Sequence, residues 1–150
     1  MMDVQKDFAD LCSLWNEQGV EFLIVGGYAV GYHGAPRFTG DLDILVRPDV
    51  QQVGRMLQAV TRFGFPAQDL AADYLLDQHK ILQLGREPVQ IHLMSVITGV
   101  SWDEAWASRR QGLYGSVPVF FIGRQALIAN KRATGRTKDL ADAEALERRD

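Results

Sequence analysis

The sequence predicts an α/β (α+β) fold, and three observations carry that prediction. Residues 20–25 (VEFLIV) form a short, nearly all-apolar run of the kind found in strands covered on both faces. Residues 80–84 and 88–94 are strand patterns separated by Gly85, Arg86 and Glu87, which signals an antiparallel hairpin. The final region, 124–149, is helical in pattern and splits at Gly135 into two pieces, 126–133 and 138–146.

In chain order, Asp3 is placed to cap a first helix whose apolar stripe is Phe8, Leu11, Cys12, Leu14 and Trp15, with Gly19 as its stop. The strand at 20–25 ends on Gly26-Gly27, and Tyr28, Ala29, Val30 and Tyr32 predict a short helix directly after it. Unpaired amides at the start of such a helix suit an anion such as phosphate. A glycine pair can equally be a plain structural turn.

The loop 34–40 (GAPRFTG) leads to a second strand, 41–46 (DLDILV). Strand alternation puts Asp41, Asp43 and Leu45 on one face and Leu42, Ile44 and Val46 on the other. Two neighbouring carboxylates on an apolar strand repel each other and need a cation. A hard divalent metal would serve, and so would Arg37 or Arg47 at an exposed strand end. Joined to the glycine turn upstream, the metal reading is the stronger.

Pro48 and Asp49 open a helix that turns Val50, Val53, Met56, Leu57 and Val60 inward and closes at Gly64. Leu70, Tyr74, Leu75 and Leu76 suggest a further short helix. In the hairpin's second strand, Gln90, His92 and Met94 share a polar face that can lie beside Asp41 and Asp43. His92 suits a metal ligand or a hydrogen-bonded structural histidine. Ser101 and Glu104 have capping-box spacing, with Trp102 and Trp106 one turn apart as core residues. Short strands are expected at 113–114 and 117–122. In the terminal helices, Lys131, Arg132, Arg136 and Lys138 form a small basic cluster beside Asp139 and Asp142, a pattern that on its own reads as a solvated charged face with weak ion pairs.

Composition narrows the class of protein. With 150 residues, 47% hydrophobic and 23% charged, the chain suits a single domain, since domains commonly span roughly 100–200 residues. Neither repeats nor low-complexity segments divide 1–150. A net charge of −3 argues against general polyanion binding and leaves room only for a local basic site. Cys12 is the sole cysteine, so no internal disulfide forms, and its apolar neighbours make it a core residue. No apolar run approaches the ~18 residues of a membrane span, and the acidic start lacks a signal-peptide pattern, so the cytoplasm is expected and no membrane partner.

The order Gly26-Gly27, a spacer, then Asp41-Leu42-Asp43 on a strand resembles the signature of the DNA polymerase beta-like nucleotidyltransferases. The closing KRATGRTKDLADAEAL resembles that of a small, minimal bacterial branch that includes AbiEii-like toxins of toxin–antitoxin pairs. The resemblance implies a mixed twisted sheet flanked by helices, with C-terminal helices. It implies transfer of a nucleoside monophosphate from an NTP to a hydroxyl on RNA, protein or a small molecule, and allows for a cognate partner protein. By position, Asp41 and Asp43 would hold Mg²⁺ or Mn²⁺, Gly26 and Gly27 the phosphates, and Arg37 and Thr39 the nucleotide. Lys131, Arg136 and Lys138 would neutralise phosphate, with Asp139 orienting them.

One position departs from that pattern. The superfamily's third carboxylate falls at Gln90, whose amide cannot take a proton. Another acid (Asp73, Asp77 or Glu87) serves instead, or Asp139 substitutes, or the protein binds nucleotide without transferring it.

Overall fold

A computed structural model describes residues 5–35, 39–65, 72–86 and 89–148. Asp3, Arg37, Leu70, Glu87 and Pro88, each given a role from the sequence, lie outside them. The chain runs α1 (Lys6–Glu17), β1 (Phe22–Val25), α2 (Gly26–Tyr32), β2 (Leu42–Val46), α3 (Val50–Arg62) and a short α4 (Ala72–Leu76). The expected hairpin follows as β3 (Leu82–Arg86) and β4 (Val89–Met94), then α5 (Trp102–Ala107), and a second hairpin of β5 (Arg110–Tyr114) and β6 (Val117–Phe121). Two helices, α6 (Arg124–Thr134) and α7 (Thr137–Glu147), finish it. β5 starts before its expected position because Arg110, Gln111 and Gly112 carry no apolar pattern; it is an edge strand whose first two side chains are exposed and whose last, Tyr114, is buried.

The six strands form one mixed sheet in the order β3-β4-β2-β1-β6-β5. β1 and β2 are antiparallel, whereas β2 pairs with β4 and β1 with β6 in parallel. The register aligns Val25 with Asp43, Asp43 with His92, and His92 with Gln83. One row therefore crosses four strands on one face of the sheet. On the other face Leu42, Ile44, Ile91 and Leu93 are completely buried, which fixes the register, since a one-residue slip would expose that whole set.

Local sequence decides several boundaries. Asp49 caps α3 by accepting from the Gln52 backbone N–H at 2.8 Å. Ser101 and Glu104 complete the predicted capping box on α5, and Trp102 stacks on Trp106 with ring centroids 5.2 Å apart. Trp15 is fully buried and donates its indole N–H to the Met56 carbonyl at 3.2 Å, tying α1 to α3. Cys12 beside it is buried, and burial pushes its thiol up to about 12, so it stays a protonated core group. No helix among the described residues is long and apolar enough to cross a membrane.

Candidate active site

The site starts where β1 turns into α2. Gly26 has φ +67°, and a Cβ built on it would fall on Asp43 Oδ2. Glycine is required there twice over, for a left-handed backbone and for the close approach of a carboxylate. Asp43 is the second residue of β2, and its Oδ1 lies 3.0 Å from His92 Nδ1, its register partner on β4. Asp41 stands just before β2, where its Oδ1 accepts the Gln90 backbone N–H at 3.0 Å. The Thr39 hydroxyl donates to the Asp41 carbonyl at 3.3 Å. Both aspartates are half-buried and line a cleft of about 520 Å³, together with Gly26, Gly27 and Thr39.

The opposite wall is the α6–α7 helical hairpin. Gly135, in the left-handed conformation with φ +71°, ends α6 and lets the chain fold back. That return places Lys131 Nζ 3.1 Å from Asp139 Oδ1 and 3.0 Å from Asp142 Oδ2, all three side chains being buried. Arg136 Nε donates to Asp139 Oδ2 at 2.8 Å. The Thr134 hydroxyl sits 2.7 Å from the same oxygen and 3.0 Å from the Lys131 carbonyl, so its single proton serves one acceptor at a time. Burial works against the Asp139 charge, but hydrogen bonds from Thr134, Lys131 and Arg136 outweigh it and hold the carboxyl down at about 2.

Gly26, Gly27, Thr39, Asp41 and Asp43 therefore share one cleft, as the sequence predicts, and Lys131, Arg136, Lys138 and Asp139 line its other side. Arg37 lies outside the described residues. Arg47 is not the partner of the aspartates: it pairs with Glu21 at 3.4 Å and Asp49 at 3.7 Å. The basic cluster is less uniform than its sequence suggests. Lys131 is buried between two carboxylates, Arg132 turns away to Glu147, and Arg136 and Lys138 are the exposed cations at the cleft.

The register also changes the reading of β4. Gln90 does not line the cleft; its backbone holds Asp41 and its Oε1 lies 3.1 Å from His92 Nε2. His92 is the residue that reaches the cleft beside Asp43. Asp73 and Asp77 are exposed and away from it. Among the described residues, Asp139 is the third acid lining the cleft, and it faces Asp41 and Asp43 from the helical wall.

Sequence reasoning missed Thr134, Asn130, Gln83, Ile81 and Val96, which also line the cleft. Thr134 had a local signal, a hydroxyl one residue before a helix-ending glycine and five before Asp139. Asn130 had none, because its partner is the Thr98 carbonyl, 3.0 Å away in the loop after β4.

The donor set suits a hard cation. Asp41 and Asp43 present carboxylate oxygens to the cleft, and Gly26, having no Cβ, lets the Asp43 carboxylate come close to the glycine turn. Among the described residues no three His, Cys, Asp or Glu side chains form a ready metal cage. Two carboxylates with phosphate oxygens and water completing the shell is the arrangement typical of Mg²⁺.

No family model matches the chain, and a search of curated proteins finds no match. Solved structures do match in fold. TM1012 of Thermotoga maritima, described as a nucleotidyltransferase, superposes with a TM-score of 0.60 at 13% identity, covering 94% of this chain and 88% of its own. The antibiotic-resistance factor ANT(2'')-Ia gives 0.59 at 12% identity over 93% and 80% of the two chains. The lincosamide antibiotic adenylyltransferase LnuA, solved with lincomycin, gives 0.56 at 13% identity over 97% and 98%. The fold is thus that of nucleotidyltransferases.

Proposed function

We propose that this protein transfers a nucleoside monophosphate from an NTP to an acceptor hydroxyl. The observation that carries the reading is the Asp41/Asp43 pair: two carboxylates facing an open cleft, with Gly26 shaped around one of them. Gly26, Gly27 and Thr39 bind the triphosphate and nucleotide from one side, and Arg136 and Lys138 neutralise its charge from the other. Lys131 and Asp139 position that second wall. Asp41 and Asp43 hold Mg²⁺, or Mn²⁺ in its place, which when bound offsets negative charge at the phosphates during transfer. The acceptor oxygen forms a bond to the α-phosphorus, the bond to pyrophosphate breaks, and the hydroxyl proton is released. The chain's own contribution is mainly positioning and electrostatics.

The test is incubation of the purified protein with α-labelled NTPs, Mg²⁺ and a cell extract. Label on an acceptor, lost in Asp41→Ala, supports the reading; labelling that is absent or identical in both proteins sinks it. A role as the toxin of a toxin–antitoxin pair, with a cognate partner protein, is a finer part of the proposal. Growth arrest by the wild type but not by Asp41→Ala would support it.

A second reading, nucleotide binding without transfer, is favoured by the β4 strand. His92 instead of a carboxylate faces Asp43, and the third acid of the cleft, Asp139, is engaged by Lys131 and Arg136. Calorimetry separates the two readings: Mg²⁺-NTP binding with no turnover, together with activity gained in His92→Asp, would establish the second.

A further inference from the structure

We propose that the β3–β4 end of the cleft is the acceptor site, and that the acceptor is an uncharged, hydroxyl-bearing small molecule with an apolar face. The inference rests on the nucleotidyl-transfer reading and adds the acceptor's chemical class. The row Val25–Asp43–His92–Gln83 gives the cleft a direction. At one end the glycine turn after Val25 takes the phosphates; at the other, His92 and Gln83 offer hydrogen-bonding groups at the edge of the sheet.

In phosphoryl-type transfer the entering and leaving oxygens lie roughly in line across the phosphorus. With the leaving pyrophosphate at Gly26, Gly27 and the α6–α7 cations, the attacking hydroxyl must arrive from the β4 and β3 side. The walls there are distinct from the rest of the cleft. Ile81, Met94, Val96 and Ile97 line the cleft there together with Gln83 and His92, and Ile81 and Val96 keep 49% and 46% of their surface exposed.

Charge narrows the class further. Among the described residues lining the cleft, the acids are Asp41, Asp43 and Asp139, and the Lys and Arg residues all come from the α6–α7 hairpin. Among the described lining residues none of these charged groups is carried by β3 or β4, and the carboxylate nearest to that end, Asp43, lies against the His92 ring, so the described lining there offers neither a cluster of carboxylates for a polyamine nor cations for a polyanion such as RNA. The loop that follows Val96 and Ile97 is held against α6: Asn130 Nδ2 donates to the Thr98 carbonyl, and Gly99 packs so closely that a Cβ there would overlap Ala133. A preformed wall of this kind selects by shape and apolar burial.

The test uses ligand binding, so it does not depend on turnover. Saturation-transfer NMR is recorded with p-nitrophenyl β-glucoside, a neutral polyol with an aryl face, and with tobramycin, a polycation, in the presence of Mg²⁺ and α,β-methylene-ATP. The wild type should bind the glucoside at least tenfold more tightly than tobramycin. Ile81→Asp/Val96→Asp, both at exposed positions, should weaken the glucoside at least tenfold while the nucleotide analogue binds within twofold of wild type. The milder Ile81→Ala/Val96→Ala should show the same trend, and melting curves confirm that each variant is folded. Tighter tobramycin binding, no glucoside binding by the wild type, or unchanged glucoside binding in both variants would overturn the proposal. Loss of analogue affinity in the aspartate variant would instead make the wall the nucleobase site, which also overturns it. Failure of the wild type to bind the analogue at all would count against the transfer reading itself and is read separately.

Discussion

Two pairs of aspartates stand at or just behind the walls of the cleft, and the protein treats their charge in opposite ways. Asp139 and Asp142 are buried around the Lys131 ammonium, which lies about 3 Å from both. Asp41 and Asp43 are half-buried, and among the described residues they make no ion pair with a lysine or arginine; a backbone N–H and the His92 ring are what they have. The first pair already contains its cation. The second contains none among the described residues, and that is where the proposed function places Mg²⁺ with the triphosphate. On that reading the difference separates what holds the wall in place from what does chemistry.

The largest effect that would break this comparison is on stability. Lys131→Ala leaves two buried carboxylates facing each other, and removing one partner of a buried ion pair costs about 3–5 kcal/mol. For a chain of this size that is a drop in Tm of roughly 6–20 °C. Thermal melting at neutral pH checks it; a Tm within a degree or two of wild type would mean that the network is solvated and the contrast false.

Asp43→Asn should do the reverse. Labelled-NTP transfer should fall by on the order of 10²-fold or more, the scale of losing one preorganised electrostatic contact at a reacting centre. The Tm without divalent cation should stay the same or rise, because one of two neighbouring like charges is gone. The extra stability that Mg²⁺ and an NTP analogue give the wild type by binding only the folded state should also disappear. A marked fall in the Tm of the apo variant would make Asp43 a structural partner of His92 instead of a ligand-binding group.

Gly26→Ala sharpens the same point through the backbone. The left-handed conformation alone costs a non-glycine residue about 1–2 kcal/mol. The new Cβ must also displace the Asp43 carboxylate, so transfer should be lost along with Mg²⁺-dependent stabilisation. If the variant melts lower but keeps normal divalent-cation binding, the Gly26–Asp43 approach is incidental to the site.

These two sites were not equally legible in the sequence. Gly26, Gly27, Asp41 and Asp43 lie within one strand–turn–helix–strand stretch, where glycine pairs and strand alternation have local meanings, and the structure brings them together as read. The same alternation put Gln90, His92 and Met94 on the correct face. It could not tell which of them stands opposite Asp43, because that depends on the register of a parallel pairing between strands nearly fifty residues apart. Lys131 reads in sequence like its neighbours Arg132 and Arg136. Only the fold-back at Gly135 buries it between Asp139 and Asp142, and that burial is a tertiary event with no local mark. The apolar wall was hidden for a similar reason, since Ile81 falls inside the predicted strand 80–84 and Val96 beyond the second strand, and nothing local marks both as facing the cleft.

The smallest effect follows from Asp139 and concerns acid. Its folded-state carboxyl titrates at about 2, below the ordinary 3.8, with Thr134, Lys131 and Arg136 outweighing burial as the cause. A depressed carboxyl stabilises the fold above its unfolded pKa, and that contribution is lost as pH falls through the folded value, so the window runs from about pH 4 down to about pH 2. The size is about 2 kcal/mol, progressively lost across it. Denaturant unfolding of wild type and Asp139→Asn at pH 7, 4, 3 and 2 isolates this group from the other carboxylates, because both proteins share those. The stability gap between them should be widest at pH 7 and 4 and should close towards pH 2. A gap that stays constant with pH would mean that Asp139 contributes through packing and hydrogen bonds alone, and that its charge is not what Lys131 and Arg136 hold.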